Sequence, residues 1–365
     1  MENVEVGVIQ HRTYLVLASQ SAEPCGVEQF ARSLKSVVGN RALLFVLSFK
    51  IRCLANRVGQ GCILIVNFPL VAWKRKLIEP IIAAVIAKCK GGRVLLIMHE
   101  WNDLDWKRRA SYIPMLLLSD LIAFSSPEVK GQLLKSWFSN IVPARQIVIP
   151  IPPTLRRPAA VHASKQSGLI RRKRLDGRLI IGHFGSIYPK KQSMLVLDVA
   201  YELKKRGLRP YIVYIGSFIA GRDLDQETFQ ARIRKLGLQD DVEVTGFIET
   251  SEDIYAIFAE ISVFVYMFAE GLTSRRTSVL ACAASGRPVV VNSPDDLESF
   301  VHHPSYRKLV SDGTLKLVDR HASIKEVADA VRDASTDPSQ NNLISFDQAW
   351  GDVLCSLEKI LGGSS

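Results

Sequence analysis

The sequence has few of the features that mark secreted, membrane-spanning or metal-clustering proteins. Only six of its 365 residues are cysteines, and none forms a Cys-x-x-Cys pair. Buried free thiols are therefore favoured over a metal site or a disulfide framework. No apolar run approaches the ~18 residues that span a bilayer, and the acidic start does not resemble a secretory signal. These features predict a cytoplasmic protein that needs no metal.

Acidic residues are the scarcer charge, with 36 Asp and Glu against 47 Lys and Arg, so the net charge is +11. A basic balance favours an anionic partner. No nucleic-acid-binding motif is present, which leaves sugar nucleotides, anionic lipids and phosphorylated acceptors. The 47% apolar fraction is typical of a globular protein, and the length suits two domains.

Short β-branched segments alternate with longer amphipathic segments, which predicts parallel sheets covered by helices. In the first half, strands are predicted at 5–10, 42–48, 62–67, 93–98, 121–125 and 146–149, with helices such as 27–38 and 77–90. In the second half, strands are predicted at 179–184, 211–215, 242–245, 262–266 and 288–292. Helices are predicted there at 194–205, 225–236, 252–259, 278–285, 323–334 and 346–361.

The alternation is interrupted at residues 151–178, where three prolines and eight Lys or Arg accompany one Asp. This composition predicts an exposed basic linker, with residues 171–174 as a solvated surface. The fold class is therefore α/β, with Rossmann-like domains at 1–150 and 179–340. The segment 341–365 is predicted to be a C-terminal helix that packs on the first domain. Ligands of such sheets bind at the carboxyl ends of strands.

A polar turn before an Ala-rich helix carries the most informative chemistry. It follows a predicted strand, and the helix ends in Gly286-Arg287-Pro288 before another strand. Backbone amides at a helix start favour a phosphate, and arginines add paired hydrogen bonds. A structural helix cap with surface arginines is the alternative. The candidate donor-site residues are Glu270, Gly271, Leu272, Thr273, Ser274, Arg275, Arg276 and Ser278.

This segment resembles the donor-site signature of glycosyltransferase family 4, a retaining GT-B family. The signature begins with a Glu that holds donor sugar hydroxyls, and Glu270 matches it. A second Glu, which holds the ribose, is expected where this chain has Ser278. The pair Arg275-Arg276 resembles a variant found in some bacterial members.

The loop after residue 182 resembles a second element of the family. There an Arg and a Lys reach the donor diphosphate. Lys191 matches the Lys, with Lys190 as a neighbour that could substitute and Gly185 in the same loop. Ser186 stands where the Arg is expected, so we expect Arg275 or Arg276 to replace that cation. Surface lysines that open a helix are the alternative.

Two N-terminal segments are similar to the same family. Residues 25–32 resemble its glycine-rich loop and first helix, which implies that Gly26 contacts the donor. Residues 95–100 resemble the strand and histidine that face the donor sugar, which implies this role for His99. A structural histidine is the alternative.

The resemblance implies a GT-B enzyme whose two parallel sheets face a central cleft. Residues 1–150 would bind the acceptor and residues 179–340 the nucleotide sugar. The enzyme would transfer a sugar from a nucleoside-diphosphate sugar to a saccharide or lipid-linked saccharide, with retention, in polysaccharide biosynthesis. Glu270, His99 and Lys191 would be catalytic, and no metal is expected. The alternatives are a non-catalytic GT-B subunit that binds a partner or ligand, and an epimerase or phosphorylase.

Aromatic and basic residues cluster at 73–76 and 101–112. Trp and Tyr beside Lys and Arg suit a membrane interface. We therefore expect reversible, peripheral contact with an anionic membrane surface on its inner face. Ordinary amphipathic helices with apolar faces in the core are the alternative.

Overall fold

The computed structural model describes residues 13–19, 26–69, 77–102, 104–137, 139–188, 191–218, 226–336 and 344–362. The chain divides into a first unit, Met1–Pro150 with Trp350–Ser365, and a second unit, Ile151–Ala349. Each unit contains a six-stranded sheet whose paired strands are all parallel. No helix in the described ranges is both long and apolar enough to cross a bilayer.

The first unit has the strand order β2-β1-β3-β4-β5-β6. Its strands are β1 Tyr14–Ala18, β2 Ala42–Val46, β3 Ile63–Phe68, β4 Arg93–Met98, β5 Leu121–Phe124 and β6 Arg145–Val148. Its helices are α1 Gly26–Val38, α2 Ile51–Arg57, α3 Ile78–Cys89, α4 Trp106–Leu118 and α5 Pro127–Leu134. Strands β1, β3 and β5 are buried throughout, which explains why Asn67 in β3 is the one strongly polar residue among them.

The first strand differs from the prediction. The segment 5–10 lies outside the described residues, whereas β1 was not predicted. Its sequence, Tyr-Leu-Val-Leu-Ala, is apolar at every position and buried throughout, which is the pattern of a strand covered on both faces. The first strand that the structure describes therefore begins later in the chain than the predicted one.

The second unit has the strand order β12-β11-β10-β7-β8-β9. Its strands are β7 Leu179–Phe184, β8 Pro210–Ile215, β9 Val242–Val244, β10 Val263–Tyr266, β11 Val289–Asn292 and β12 Leu315–Val318. Its helices are α6 Lys165–Leu175, α7 Ser193–Lys205, α8 Gln226–Leu236, α9 Ser251–Phe258, α10 Thr277–Ala283, α11 Pro304–Ser311 and α12 Ile324–Thr336. Strand β12 was not predicted, since it is short and carries the charged Lys316.

The chain ends with helix α13, Phe346–Gly362. The Trp350 ring lies 5.0 Å from that of Phe30 in α1. The Tyr14 hydroxyl in β1 donates a 2.8 Å hydrogen bond to Glu358. From Trp350 onward, this helix is therefore packed within the first unit.

Helix α6 corrects the prediction of an exposed linker at 151–178. Ser164 caps it, because its side chain and that of Ser167 bond to each other's backbone amides. Ile170 is completely buried in the core of the second unit, and Arg174 forms an ion pair with Glu260. Ile170 was not predicted as a core residue, because the segment that contains it is rich in charged residues.

Candidate active site

Two loops lie side by side at the centre of the second sheet. Strand β7 pairs with β8 on one edge and with β10 on the other, so the order of strands reverses between β7 and β10. Ligands of open α/β sheets bind at the carboxyl ends of strands at such a reversal. The described residues of the loops that leave β7 and β10 are 185–188, 191–192 and 267–276, and they include most of the predicted site.

Glycines allow close backbone approach beside β7. Gly185 has φ +104°, and a Cβ there would lie 2.6 Å from Lys191 Nζ. Gly216, after β8, has φ +150°, and a Cβ there would lie 2.4 Å from the Gly185 carbonyl oxygen. The Lys191 ammonium therefore occupies the space that a side chain at position 185 would fill.

Lys191 is a buried cation, with 7% of its surface exposed. Its Nζ lies 5.7 Å from the centre of the Tyr188 ring. Within the described ranges, Nζ forms no hydrogen bond or ion pair. Burial, followed by the charge of Arg276, lowers the pKa of Lys191 to about 7. An anion placed here would favour the charged form and raise this pKa.

His183 in β7 supports this loop from within the core. Its Nδ1 lies 2.9 Å from the Val265 carbonyl oxygen, and its Nε2 lies 3.3 Å from the Ser193 hydroxyl. Burial and the charge of Lys191 lower the pKa of His183 to about 3. The ring is therefore neutral, so Nδ1–H donates to Val265 and Nε2 accepts from Ser193. This histidine anchors the start of α7 without adding charge.

The second loop is fixed by the end of β11. Asn292 Oδ1 accepts a 2.9 Å bond from the Phe268 amide, and its Nδ2 donates a 2.7 Å bond to the Phe268 carbonyl. Leu272 donates its amide to the Asn292 carbonyl at 3.0 Å. Gly271 has φ +73°, and a Cβ there would lie 2.3 Å from the Ser293 carbonyl oxygen. The sequence offers one sign of this role, since a polar residue, Asn292, ends the otherwise apolar strand β11.

Arg276 lies across this turn and is largely buried. Its guanidinium carbon lies 4.5 Å from the centre of the Phe268 ring. Nη1 donates a 3.3 Å bond to the Tyr188 hydroxyl, and Nη2 pairs with Glu270 Oε1. The Tyr306 hydroxyl donates a 2.8 Å bond to the Arg276 carbonyl. Its side chain is only 17% exposed, so Arg276 is not an exposed surface residue.

The remaining candidates of the turn differ in their surroundings. Ser274 is buried, and Arg275 is partly buried. Across the described part of the chain, the hydroxyls of Thr273 and Ser274 are buried without a hydrogen-bond partner. Ser278 lies against the other loop, since a Cβ built on Gly185 would lie 3.7 Å from the Ser278 Cβ. Lys190 lies outside the described residues.

Two predicted residues belong to the first unit. His99 follows β4 and is 9% exposed, and its Nε2 lies 3.3 Å from Asn67 Oδ1. Its ring packs edge-on against that of Phe30 at 5.1 Å. Gly26 opens α1, but nothing lies within 4 Å of a Cβ there, so its surroundings do not require a glycine.

The second unit therefore combines cations, hydroxyls and a carboxylate at one point of the sheet. Lys191 and Arg276 provide positive charge, and Glu270 provides a hydrogen-bond acceptor that is 43% exposed. A partly dehydrated pair of cations stabilises phosphate oxygens more strongly than exposed cations do. No group of three or more His, Cys, Asp or Glu in the described ranges could hold a metal ion. The predicted absence of a metal stays a prediction.

Known structures resemble the whole chain. Anabaena HepE in complex with UDP and glucose is 12% identical, with a TM-score of 0.59, covering 95% of this chain and 100% of that one. A glycosyltransferase from Rickettsia africae is 13% identical, with a TM-score of 0.57, covering 97% and 99%. E. coli trehalose-6-phosphate bound with UDP-2-fluoro glucose is 11% identical, with a TM-score of 0.58, covering 96% of each chain. At these identities the likeness establishes the fold.

A family model identifies the second unit. Residues 178–337 match the glycosyl transferases group 1, whereas no curated protein sequence gives a significant match. The protein is therefore a glycosyltransferase with the GT-B fold. The residues that match this family model all lie within the second unit. The predicted fold and enzyme class are confirmed, and the narrower assignment to family 4 stays a prediction.

Gly271→Ala tests whether close approach fixes the turn. We expect it to lower the free energy of unfolding by about 2–4 kcal/mol, because the Cβ meets the Ser293 carbonyl. Gly237→Ala is the matched control, since Gly237 has φ +63° but nothing within 4 Å of a Cβ. It should lose only about 1–2 kcal/mol, from its backbone conformation. Equal losses in urea unfolding would contradict the close approach.

Titration by NMR can measure the lowered pKa of Lys191 directly. ¹³C-lysine NMR should show one lysine with a midpoint of about 7, and that resonance should be absent from Lys191→Met. An unfolded chain keeps the ordinary value of 10.5, so it binds more protons than the folded chain between these values. Relative to Lys191→Met, the wild type should therefore gain stability as pH rises through this window. An ordinary midpoint for Lys191 would show that its ammonium is hydrated.

Proposed function

We propose that this glycosyltransferase moves a sugar from a nucleoside-diphosphate sugar to a saccharide or lipid-linked saccharide, in polysaccharide biosynthesis. The observation that carries this proposal is the pair of largely buried cations, Lys191 and Arg276, at the strand-order reversal of the second sheet. Neither cation is needed to hold the turn, because Asn292 and Gly271 fix its backbone. The Lys191 ammonium and the remaining donors of the Arg276 guanidinium are therefore available to a ligand.

The diphosphate would bind between Lys191 and Arg276. Ser186 provides no positive charge where the family has an arginine, and Arg276 supplies one from the neighbouring loop. The guanidinium is oriented by Phe268 and Tyr188, which limits the entropy lost when it binds a phosphate. The unpartnered hydroxyls of Thr273 and Ser274 would provide further donors.

The sugar would bind beside Glu270. Its carboxylate accepts hydrogen bonds, and sugar hydroxyls donate them. The contact of His99 with a donor sugar, which the family resemblance implies, stays a prediction. Anabaena HepE is bound to UDP and glucose, so UDP-sugars are the first donors to test.

Retention is the stereochemical outcome that we propose. Double displacement needs a second carboxylate placed as nucleophile. Glu270 is the one acidic residue between 261 and 294. We propose instead that the departing diphosphate assists the acceptor hydroxyl on the same face of the sugar. Lys191 and Arg276 would stabilise the charge that develops on that diphosphate, and losing one such donor typically costs about 3–4 kcal/mol of barrier.

Arginine variants test the proposed donor site. Arg276→Ala should weaken UDP binding about 10- to 100-fold in calorimetry and leave uridine binding unchanged, because the lost bonds reach the diphosphate. Arg276→Lys should have a smaller effect, since a point charge cannot replace paired guanidinium bonds. Arg275→Ala is the matched neighbour, and Ser186→Arg should restore part of the affinity of Arg276→Ala.

Turnover assays distinguish a glycosyltransferase from a non-catalytic subunit and from an epimerase. The wild type should slowly release UDP from at least one UDP-sugar, and Glu270→Ala should lose most of this activity while remaining folded. UDP binding that neither arginine variant changes would show that the turn is a structural cap. Binding without turnover of any sugar nucleotide would support the non-catalytic alternative, and an interconverted sugar nucleotide would support an epimerase.

We also propose that the first unit contacts an anionic membrane surface reversibly. Trp106 is 70% exposed and Trp137 is 84% exposed, and Lys107 Nζ lies 5.7 Å from the Trp106 ring centre. The buried Trp101 donates its indole N–H to Ser136 at 3.0 Å, which joins the segments before α4 and after α5. Exposed Trp beside Lys and Arg is typical of a membrane interface.

Two aromatic residues of the predicted membrane surface are buried. Trp101 and Tyr112 belong to the predicted cluster at 101–112 but are 1% and 0% exposed. They lie in the core of the first unit, so the prediction was wrong for these two residues. The cluster at 73–76 lies outside the described residues. The surface that we propose therefore centres on Trp106 and Trp137.

Vesicle sedimentation tests the membrane contact. The wild type should sediment with phosphatidylglycerol-containing vesicles and less so as salt rises, because salt screens exposed charges. Trp106→Ser/Trp137→Ser should sediment less, whereas Phe247→Ser, which removes an exposed aromatic of the second unit, should not differ from wild type. The same sedimentation with neutral and anionic vesicles, or with neither, would contradict the proposal.

A further inference from the structure

The ion pair between Glu270 and Arg276 joins two groups with different proposed ligands. Arg276 is held on its face by Phe268, at Nη1 by Tyr188 and at Nη2 by Glu270. Under the proposed function, on which this inference rests, Arg276 binds the diphosphate and Glu270 binds the sugar. The pair therefore connects the part of the donor that leaves as product with the part that is transferred.

The negative charge of Glu270 opposes diphosphate binding. A carboxylate beside Arg276 lowers the positive potential that attracts phosphate oxygens, and it occupies one of the guanidinium donors. The Arg276 side chain is 17% exposed, so solvent screens this effect only in part. A nucleoside diphosphate without its sugar meets the full repulsion.

A bound sugar offsets this repulsion. Its hydroxyls donate hydrogen bonds to Glu270, which disperse the negative charge and stabilise the carboxylate next to the phosphates. The free nucleoside diphosphate has no such hydroxyls at that position. Glu270 therefore affects the substrate and the product differently.

We propose that Glu270, through its ion pair with Arg276, makes the site favour the nucleoside-diphosphate sugar over the nucleoside diphosphate and so promotes product release. This role is separate from holding the sugar. It follows from the position of the cation in this chain, where Arg276 stands in the same turn as Glu270. An arginine at position 186 would not share that turn.

The turn should survive the loss of this charge. Its backbone is fixed by Asn292, Leu272 and Gly271, and the Glu270 side chain is 43% exposed. Glu270→Gln keeps the shape and most of the hydrogen-bonding ability while removing the charge. Glu270→Ala removes both and provides a second variant with the same expected sign for product binding.

Calorimetric titration with UDP and with a non-hydrolysable UDP-sugar tests the proposal. Glu270→Gln should bind UDP about three- to tenfold more tightly than wild type, as expected for a partly buried charge pair. The ratio of UDP-sugar to UDP affinity should fall, and UDP dissociation in stopped flow should slow. In an Arg276→Ala background, Glu270→Gln should change UDP affinity less. Glu260→Gln is the matched control, since it removes the 2.9 Å ion pair with Arg174 and should leave UDP affinity unchanged.

The outcomes separate this inference from the proposed function. Equal or weaker UDP binding by Glu270→Gln and Glu270→Ala overturns the inference. If Arg276→Ala still weakens UDP binding in that case, the proposed donor site survives. If the wild type binds no nucleoside diphosphate, both proposals fail. If Glu260→Gln tightens UDP binding as much as Glu270→Gln does, the effect is one of net charge, and the specific role of Glu270 is overturned.

Discussion

The pairing of β10 with β7 is the contact on which the candidate site depends. It brings together two loops that are about 80 residues apart in sequence, and it needs the glycine at position 182, where a Cβ would lie 2.6 Å from the Phe264 ring. Glycines also allow close approach in the loops, because Gly216 lies against the Gly185 carbonyl and Gly271 lies against the Ser293 carbonyl. Lys191 is positioned by close packing against Gly185, and Arg276 is positioned by Phe268, Tyr188 and Glu270.

The electrostatics of the site follow from this packing. Burial lowers the pKa of Lys191, and the neutral His183 beneath it adds no further positive charge. Arg276 forms an ion pair with a carboxylate, Glu270, that is itself part of the proposed site. A diphosphate would add negative charge where two cations are incompletely compensated. The proposed catalytic contribution is therefore preorganised charge, with each donor oriented before the leaving group develops its own.

Much of the fold could be predicted from the sequence because strands such as β3, β4 and β7 are short apolar runs bounded by polar turns. The sequence around Glu270 also brings glycine, hydroxyl and arginine residues together in one turn, where Glu270 and Arg276 form an ion pair. The donor-site roles of these residues stay predictions. The rest depends on contacts that have no local pattern. Asn292 and His183 act through partners 24 and 82 residues away, and Ile170 is buried in a segment that otherwise reads as exposed. Trp101 and Tyr112 have the composition of a membrane surface but lie in the core.

The central claim is that the donor diphosphate lies between Lys191 and Arg276 at the carboxyl ends of β7 and β10. A crystal structure of the protein with a bound nucleoside diphosphate tests it most directly. We predict phosphate oxygens within hydrogen-bonding distance of Lys191 Nζ and of the Arg276 guanidinium, with the turn backbone unchanged. A diphosphate bound elsewhere, with Lys191 and Arg276 both making no contact to it, would contradict the account.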